Sequence, residues 1–275
     1  MPYVFTMHDV TPLAHPHFYP PRIQKRLAAL ISRGVKKARL IVCVSQNALD
    51  TTAEWFGASP DHMAVVHHGV DERYRPIPRD EASDKLRHYG IDRPYVLFVG
   101  KLESRKNIQR LLEAYHQFRQ QSGADVALVL AGRRTYEPEV IDQTLDRLAI
   151  REHVIELGYV ADEDMPALYS AAELFLFATL WEGFGIPVLE SMACGTPVVT
   201  SRVSCLPEIT GDAALLVDPT NVGEIAEAIC RIHGDESLRK TLVERGIERA
   251  RQFTWERCAQ QTLDVYRRMG ALRTG

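Results

Sequence analysis

The chain has 275 residues, more than one average domain, and its 45% hydrophobic and 25% charged residues are ordinary globular usage. No apolar run approaches the roughly eighteen residues of a membrane span, and the N-terminus lacks a signal-peptide hydrophobic region. Five cysteines without a Cys-x-x-Cys pair fit neither a disulfide framework nor structural zinc, so a reducing cytoplasm is the expected compartment.

The first strand is expected at residues 3–7 and ends in His8 and Asp9. By themselves these two read either as a turn histidine with a capping aspartate or as groups facing a site. His15 and His17 are separated by Pro16 and have no third placed ligand, so no metal site is expected there. The net charge is −3, but its distribution is uneven: residues 10–49 contain no Asp or Glu. Seven cations fill that window, Arg22, Lys25, Arg26, Arg33, Lys36, Lys37 and Arg39, with Ile23, Leu27, Leu30 and Ile31 as an apolar stripe. The segment between Arg22 and Arg39 thus reads as a basic amphipathic helix. Either it lies on an anionic membrane surface, such as the inner membrane face, or it is a packed helix with a solvated basic face. Nucleic acid is not an expected partner, because the window lacks interleaved aromatics.

Further strands are expected at 40–44 and 63–67, ahead of a Pro-rich joint, Arg75-Pro76-Ile77-Pro78. Beyond the joint come six strand candidates, at 95–99, 126–131, 154–157, 174–177, 197–200 and 214–217. Helical stripes separate most of them, and strands alternating with helices imply a doubly wound parallel sheet. The fold class is therefore α/β, with a shortened N-terminal unit over 1–78 and a complete domain over 79–275. Cys43 and Cys194 fall within apolar elements and are expected to pack as small hydrophobes.

Two loops carry the chemistry. The strand at 95–99 runs into Gly100-Lys101-Leu102-Glu103-Ser104-Arg105-Lys106-Asn107. Asn107 suits the N-cap of the helix striped by Ile108, Leu111, Leu112, Tyr115 and Phe118. Lys101, Arg105 and Lys106 then sit at the C-terminal end of a buried strand, where open α/β sheets bind ligands; three cations there suit a diphosphate, although basic residues in such a loop, taken alone, are more often simply solvated. The strand at 174–177 leads to WEGFGIPVLESMACG. Pro187 near the start and Gly195 past the end punctuate a short helix. The free amides of Phe184, Gly185 and Ile186 at its N-terminus favour an anion. Glu182 stands before that mouth and Glu190 lies about two turns further in. The same segment, taken alone, equally fits a tight strand-to-helix turn with a capping glutamate.

Together these segments resemble the retaining family 4 (group 1) glycosyltransferases of the GT-B fold. Glu182 and Glu190 match the family's paired-glutamate motif, and AGRRTYEP, ELGYVADEDMPALYSAAELF and TSRVSCLPEITGDAALLVDP also look like the family. The segment VGKLESRKN most resembles the branch of mannosyl- and related hexosyltransferases of bacterial polysaccharide assembly. The resemblance implies transfer of a hexose from a GDP- or UDP-linked donor to a saccharide or lipid-linked acceptor, with retained configuration and no metal or other cofactor. It places Gly100, Lys101, Arg105 and Lys106 on the diphosphate, Glu190 on the ribose, and Gly158, Tyr159 and Val160 at the nucleobase. His8 and Glu182 would flank the transferred sugar, with the backbone of Gly183, Phe184, Gly185 and Ile186 cradling sugar and phosphate. The helix over about 255–269 would cross back to the first unit.

The main departure from the family is the N-terminal unit, with three expected strands where a full half has five or six. Either the chain is truncated, or a partner chain or second copy supplies the rest, or the unit works as a reduced domain. An open sheet edge makes a dimer or partner pairing physically reasonable. Two other functions fit the residues: a partner-dependent sugar-nucleotide-binding subunit, and a glycoside hydrolase using Glu182 and Glu190 as its carboxylate pair. The surrounding lysines disfavour the hydrolase, which has no diphosphate to hold.

Overall fold

Apolar β-rich runs alternating with amphipathic segments build two parallel sheets in the computed structural model, which describes residues 3–135 and 138–271. The first sheet has the order β1-β2-β3, formed by Val4–Met7, Leu40–Cys43 and Met63–Val65. Val4 pairs with Leu40 and Ile41 with Met63. The outer edge of β1 pairs with no other strand among the described residues.

The second sheet contains β4 (Tyr95–Val99), β5 (Ala127–Ala131), β6 (Val154–Gly158), β7 (Leu174–Phe177), β8 (Val198–Ser201) and β9 (Ala214–Val217). Their order is β6-β5-β4-β7-β8-β9. Strand order therefore reverses between β4 and β7, and the loops leaving these two strands diverge there. Such a switch point opens a crevice at the carboxyl ends of the strands. This strand order places the Gly100–Lys106 loop and the Glu182 loop side by side.

Strands β4, β5 and β7 are apolar runs buried on both faces, as parallel sheets require, and β8 is buried with its Thr200 and Ser201 hydroxyls donating to Phe177 O and Thr179 O. The stripe Leu111, Leu112, Tyr115 and Phe118 of the helix Ile108–Ser122 is fully buried beside the helix Val222–Gly234. Each such side chain contributes roughly 1.5–3 kcal/mol of burial. Cys43 and Cys194 are buried, and desolvation pushes both thiols up to about 12, which keeps them inert.

The helix Trp255–Ala271 returns to the first sheet, where Val265 packs with Leu40, Val42 and Val66. The two crossings between the units lie side by side: the Val70 amide donates to Phe253 O at 3.0 Å, and Val70 bridges Thr254.

The basic window forms a helix over Pro21–Lys37 that leaves Arg39 outside, with Lys36 and Lys37 in its last turn, where cations suit the dipole. Only Gly34 and Val35 of it are buried. Its apolar stripe is split: Ile31 packs toward the core, whereas Ile23 and Leu30 are 38% and 56% exposed. No described helix is long and apolar enough to cross a membrane.

Candidate functional site

After β4 the loop tightens into a 3-10 turn over Ser104–Lys106 and reaches Asn107 at φ 61°. Asn107 occupies the N-cap position, but its side chain does not cap the helix. Its amide nitrogen instead donates to Ala178 O at 2.9 Å and Pro219 O at 2.7 Å, while its oxygen accepts from Arg110 at 3.0 Å. Asn tolerates the left-handed backbone, and the freed amide ties the β4 loop to the ends of β7 and β9.

This tie brings the cations onto the first glutamate. Lys106 Nζ is 2.6 Å from Glu182 Oε1 and 4.7 Å from the Phe177 ring centroid. Arg105 Nη1 lies 3.1 Å from Glu182 Oε2 and donates to Trp181 O at 2.7 Å, while Nη2 reaches Glu103 at 2.9 Å. Glu182 is 7% exposed. Burial pushes its carboxyl up, but Lys106 and Arg105 outweigh that and hold it below the usual glutamate range. The Arg105 guanidinium, desolvated but set between Glu182 and Glu103, is raised. Lys101 is exposed and makes no ion pair among the described residues, so its charge is left unneutralised by the loop.

The next residues close onto the N-terminal unit. A Cβ on Gly183 would stand 2.2 Å from His8 O, so only glycine permits this approach. Gly183 O also accepts from Ser45 Oγ at 2.9 Å. Gly185 takes φ 93°, the left-handed turn that starts the helix Ile186–Ala193 and turns the amides of Phe184, Gly185 and Ile186 to its N-terminus. Phe184 is buried and edge-on to His68, with ring centroids 5.0 Å apart.

His8 is exposed, and its ring stacks on His68 at 5.5 Å. Burial, with His8 and His67 adding, pushes the His68 imidazole down and favours its neutral form. Asp9 accepts the Thr11 amide at 2.8 Å and so caps the turn. His15 and His17 meet edge-on at 5.9 Å, and His15 rests 4.7 Å from the Trp181 ring. Among the described residues no three His, Cys, Asp or Glu are grouped to hold a metal.

Glu190, on the second turn of its helix, accepts from Tyr169 Oη at 2.8 Å. Burial raises its carboxyl above the usual range, against the hydrogen bonds from Tyr169 and Tyr74. Tyr74 immediately precedes the joint at 75–78, so the ribose candidate touches the connection between the two units. At the end of β6, Gly158 O accepts from the Gly132 amide at 2.7 Å and Val160 is buried. Tyr159 is 65% exposed, with the Arg133 guanidinium 5.8 Å from its ring centroid.

The structure therefore gathers Gly100–Lys106 with Glu182, and His8 with Gly183 and Phe184. It sets Glu190 on a tyrosine pair and Gly158–Val160 two strands from β4. Ser45, His67, His68, Tyr74, Tyr169 and Glu208 join the site or its frame without having been singled out in sequence. His67-His68 before Gly69 was a visible signal, whereas Tyr74 and Tyr169 had none.

Comparison with known proteins identifies the family and the fold. Residues 79–249 match the family described as Glycosyl transferases group 1, and residues 1–74 match Glycosyltransferase Family 4. The O-antigen chain mannosyltransferase B of Escherichia coli is 35% identical over 265 residues, 96% of this chain and 70% of that protein. The chain belongs to the group 1 glycosyltransferases. The serotype-specific mannosyltransferase WbdA of Escherichia coli is 27% identical over 97% of this glycosyltransferase, which spans 33% of that relative. Among solved structures, HepE of Anabaena, crystallised with UDP and glucose, superposes with a TM-score of 0.82 at 24% identity, covering 96% of this chain and 71% of that one. That likeness gives the GT-B fold.

Proposed function

We propose that this chain transfers a hexose from a GDP- or UDP-linked donor to a saccharide or lipid-linked acceptor hydroxyl, retaining the anomeric configuration and requiring no metal. The observation carrying the reading is the 2.6 Å contact between Lys106 and Glu182 at the sheet's switch point. It sets a cation for the leaving diphosphate beside a carboxylate for the sugar. Lys101, Lys106 and the amides of Phe184, Gly185 and Ile186 would take the charge developing on the leaving group, electrostatic stabilisation supplied by the protein alone. Arg105, already committed to Glu103, Glu182 and Trp181 O, would hold Glu182 in place more than it meets phosphate. Glu190 would accept from the ribose hydroxyls, the backbone of Gly158, Tyr159 and Val160 would line the base, and His8 would face the sugar across the cleft.

Mannosyltransferases of O-antigen synthesis are among the relatives, and HepE was solved with UDP, which supports this substrate class without choosing the base. The place of action would be the cytoplasm, at the inner membrane face if the basic helix docks there. The three-stranded sheet, whose β1 edge is unpaired among the described residues, favours a second reading, in which transfer needs a partner chain or second copy. Titration calorimetry of GDP, UDP and their hexose conjugates tests the donor site. Lys106→Ala and Glu190→Ala should each weaken binding by about 1–3 kcal/mol. Wild-type affinity in both variants would remove the assignment.

A further inference from the structure

Glu208 lies on the short helix Leu206–Thr210, in the segment TSRVSCLPEITGDAALLVDP, and its carboxylate reaches into the N-terminal unit. Oε1 accepts the Gln46 amide at 2.7 Å and lies 2.7 Å from His67 Nε2, while Oε2 accepts the Asn47 amide at 3.3 Å. Gln46 and Asn47 open the helix Gln46–Phe56, whose first amides have no partner within the helix. An anion there also meets the favourable end of the helix dipole. The acceptor comes from the other side of the cleft. The N-cap of the same helix, Ser45, is fully buried; its Oγ accepts from the Ala48 amide at 3.0 Å and donates to Gly183 O at 2.9 Å. On its own side Glu208 is held firmly: Arg249 donates to Glu208 O at 2.5 Å and to Ile209 O at 2.9 Å. Burial pushes the Glu208 carboxyl up, but His67 and the two amides outweigh it and keep the group ionised.

We infer that Glu208 is a positioning residue that closes the cleft, its carboxylate locking the helix Gln46–Phe56 and His67 to the donor-side domain. That lock presses His8 O onto Gly183 and sets the His8–His68 stack over Phe184. The closure stands on geometry alone; its consequence for transfer rests on the function proposed above.

The experiment compares the full chain with Glu208→Ala, Glu208→Gln and His67→Gln by amide hydrogen exchange and small-angle X-ray scattering, with UDP and GDP titrated separately. In Glu208→Ala, exchange should rise about tenfold, not only at Gln46 and Asn47 but also at His8 and at residues 183–185 across the cleft. The radius of gyration should grow. Glu208→Gln keeps one acceptor oxygen and should fall between. His67→Gln leaves the carboxylate and its helix intact, and should open the cleft to a smaller degree even if Glu208→Ala fails to fold. Nucleotide affinity should stay within about twofold, because Lys106 and Glu190 are untouched. Faster exchange confined to Gln46 and Asn47 at an unchanged radius would reduce Glu208 to a local helix cap and overturn the inference, as would wild-type behaviour in every variant. Failure of the wild-type chain to bind either nucleotide would count against the donor site, while the exchange data would still decide the closure.

Discussion

Replacing Glu182 by Gln removes one negative charge from between a buried and a half-buried cation without changing its shape. The Lys106 and Arg105 side chains are 9% and 16% exposed, at 2.6 and 3.1 Å from the carboxylate. Removing one partner of a buried pair costs about 3–5 kcal/mol. Glu103 stays 2.9 Å from Arg105 and the glutamine oxygen still accepts, which lowers the expected loss to about 2–3 kcal/mol. In a domain of this size each kcal/mol moves the thermal midpoint by roughly 2–4 °C, so the ligand-free variant should melt about 5–10 °C below wild type. The same change releases Lys106 for a diphosphate, which in the wild type must compete with Glu182. UDP or GDP should therefore bind about tenfold more tightly to the variant, a gain of about 1.4 kcal/mol, and saturating nucleotide should recover most of the lost midpoint. Thermal scans with and without nucleotide provide the assay. The sign with pH is also fixed. The folded-state value of Glu182 lies below the ordinary one, so its contribution is complete above the unfolded value and is lost as acid takes the pH down through the folded one. The gap between wild type and variant should stay flat near neutrality and shrink below about pH 4. An apo midpoint equal to wild type, or weaker nucleotide binding, would refute the reasoning.

Gly183→Ala should force the loop away from His8 O, opening the cleft as Glu208→Ala does, and scattering of this variant should show no expansion if the close approach is unimportant. Tyr169→Phe removes a donor from Glu190 and should raise its already elevated carboxyl further, so nucleotide affinity should fall off at a higher pH on acidification than in wild type; an unshifted acid limb would contradict this. For the basic helix, vesicles containing anionic lipid should sediment the chain at low salt and lose it as salt is added, with Lys25, Arg26, Lys36 and Lys37 all changed to Gln abolishing the effect. Equal recovery on neutral vesicles would leave the helix as a packed element with a solvated face.

Legibility from sequence followed the range of the forces involved. Apolar strand runs and helix stripes are local, so all nine strands of the described residues were readable, with ends that coincide or differ by at most two residues. The adjacency of the β4 and β7 loops follows instead from the strand order β6-β5-β4-β7-β8-β9, which the succession of elements along the chain does not dictate. What stayed hidden depends on contacts between distant segments. Asn107 looked like a cap, yet its amide is spent on carbonyls 71 and 112 residues away. Gly183 read as part of a sugar and phosphate cradle, and the further demand that His8 O places on its missing side chain was invisible. Glu208 sat in a recognised segment without a role, since its partners lie about 140–160 residues upstream in the chain.

The return of the helix Trp255–Ala271 to the first sheet also fixes the order in which the molecule can mature. Strand β2 leaves the ribosome long before Val265, the residue that covers Leu40 and Val42, has been made. The donor-side domain, wound from consecutive strands, can fold as it emerges. Throughout that interval the opening unit waits with an apolar sheet face exposed, a surface prone to aggregation and a natural client for a chaperone. The N-terminal unit should be the last part of the chain to become protease-resistant.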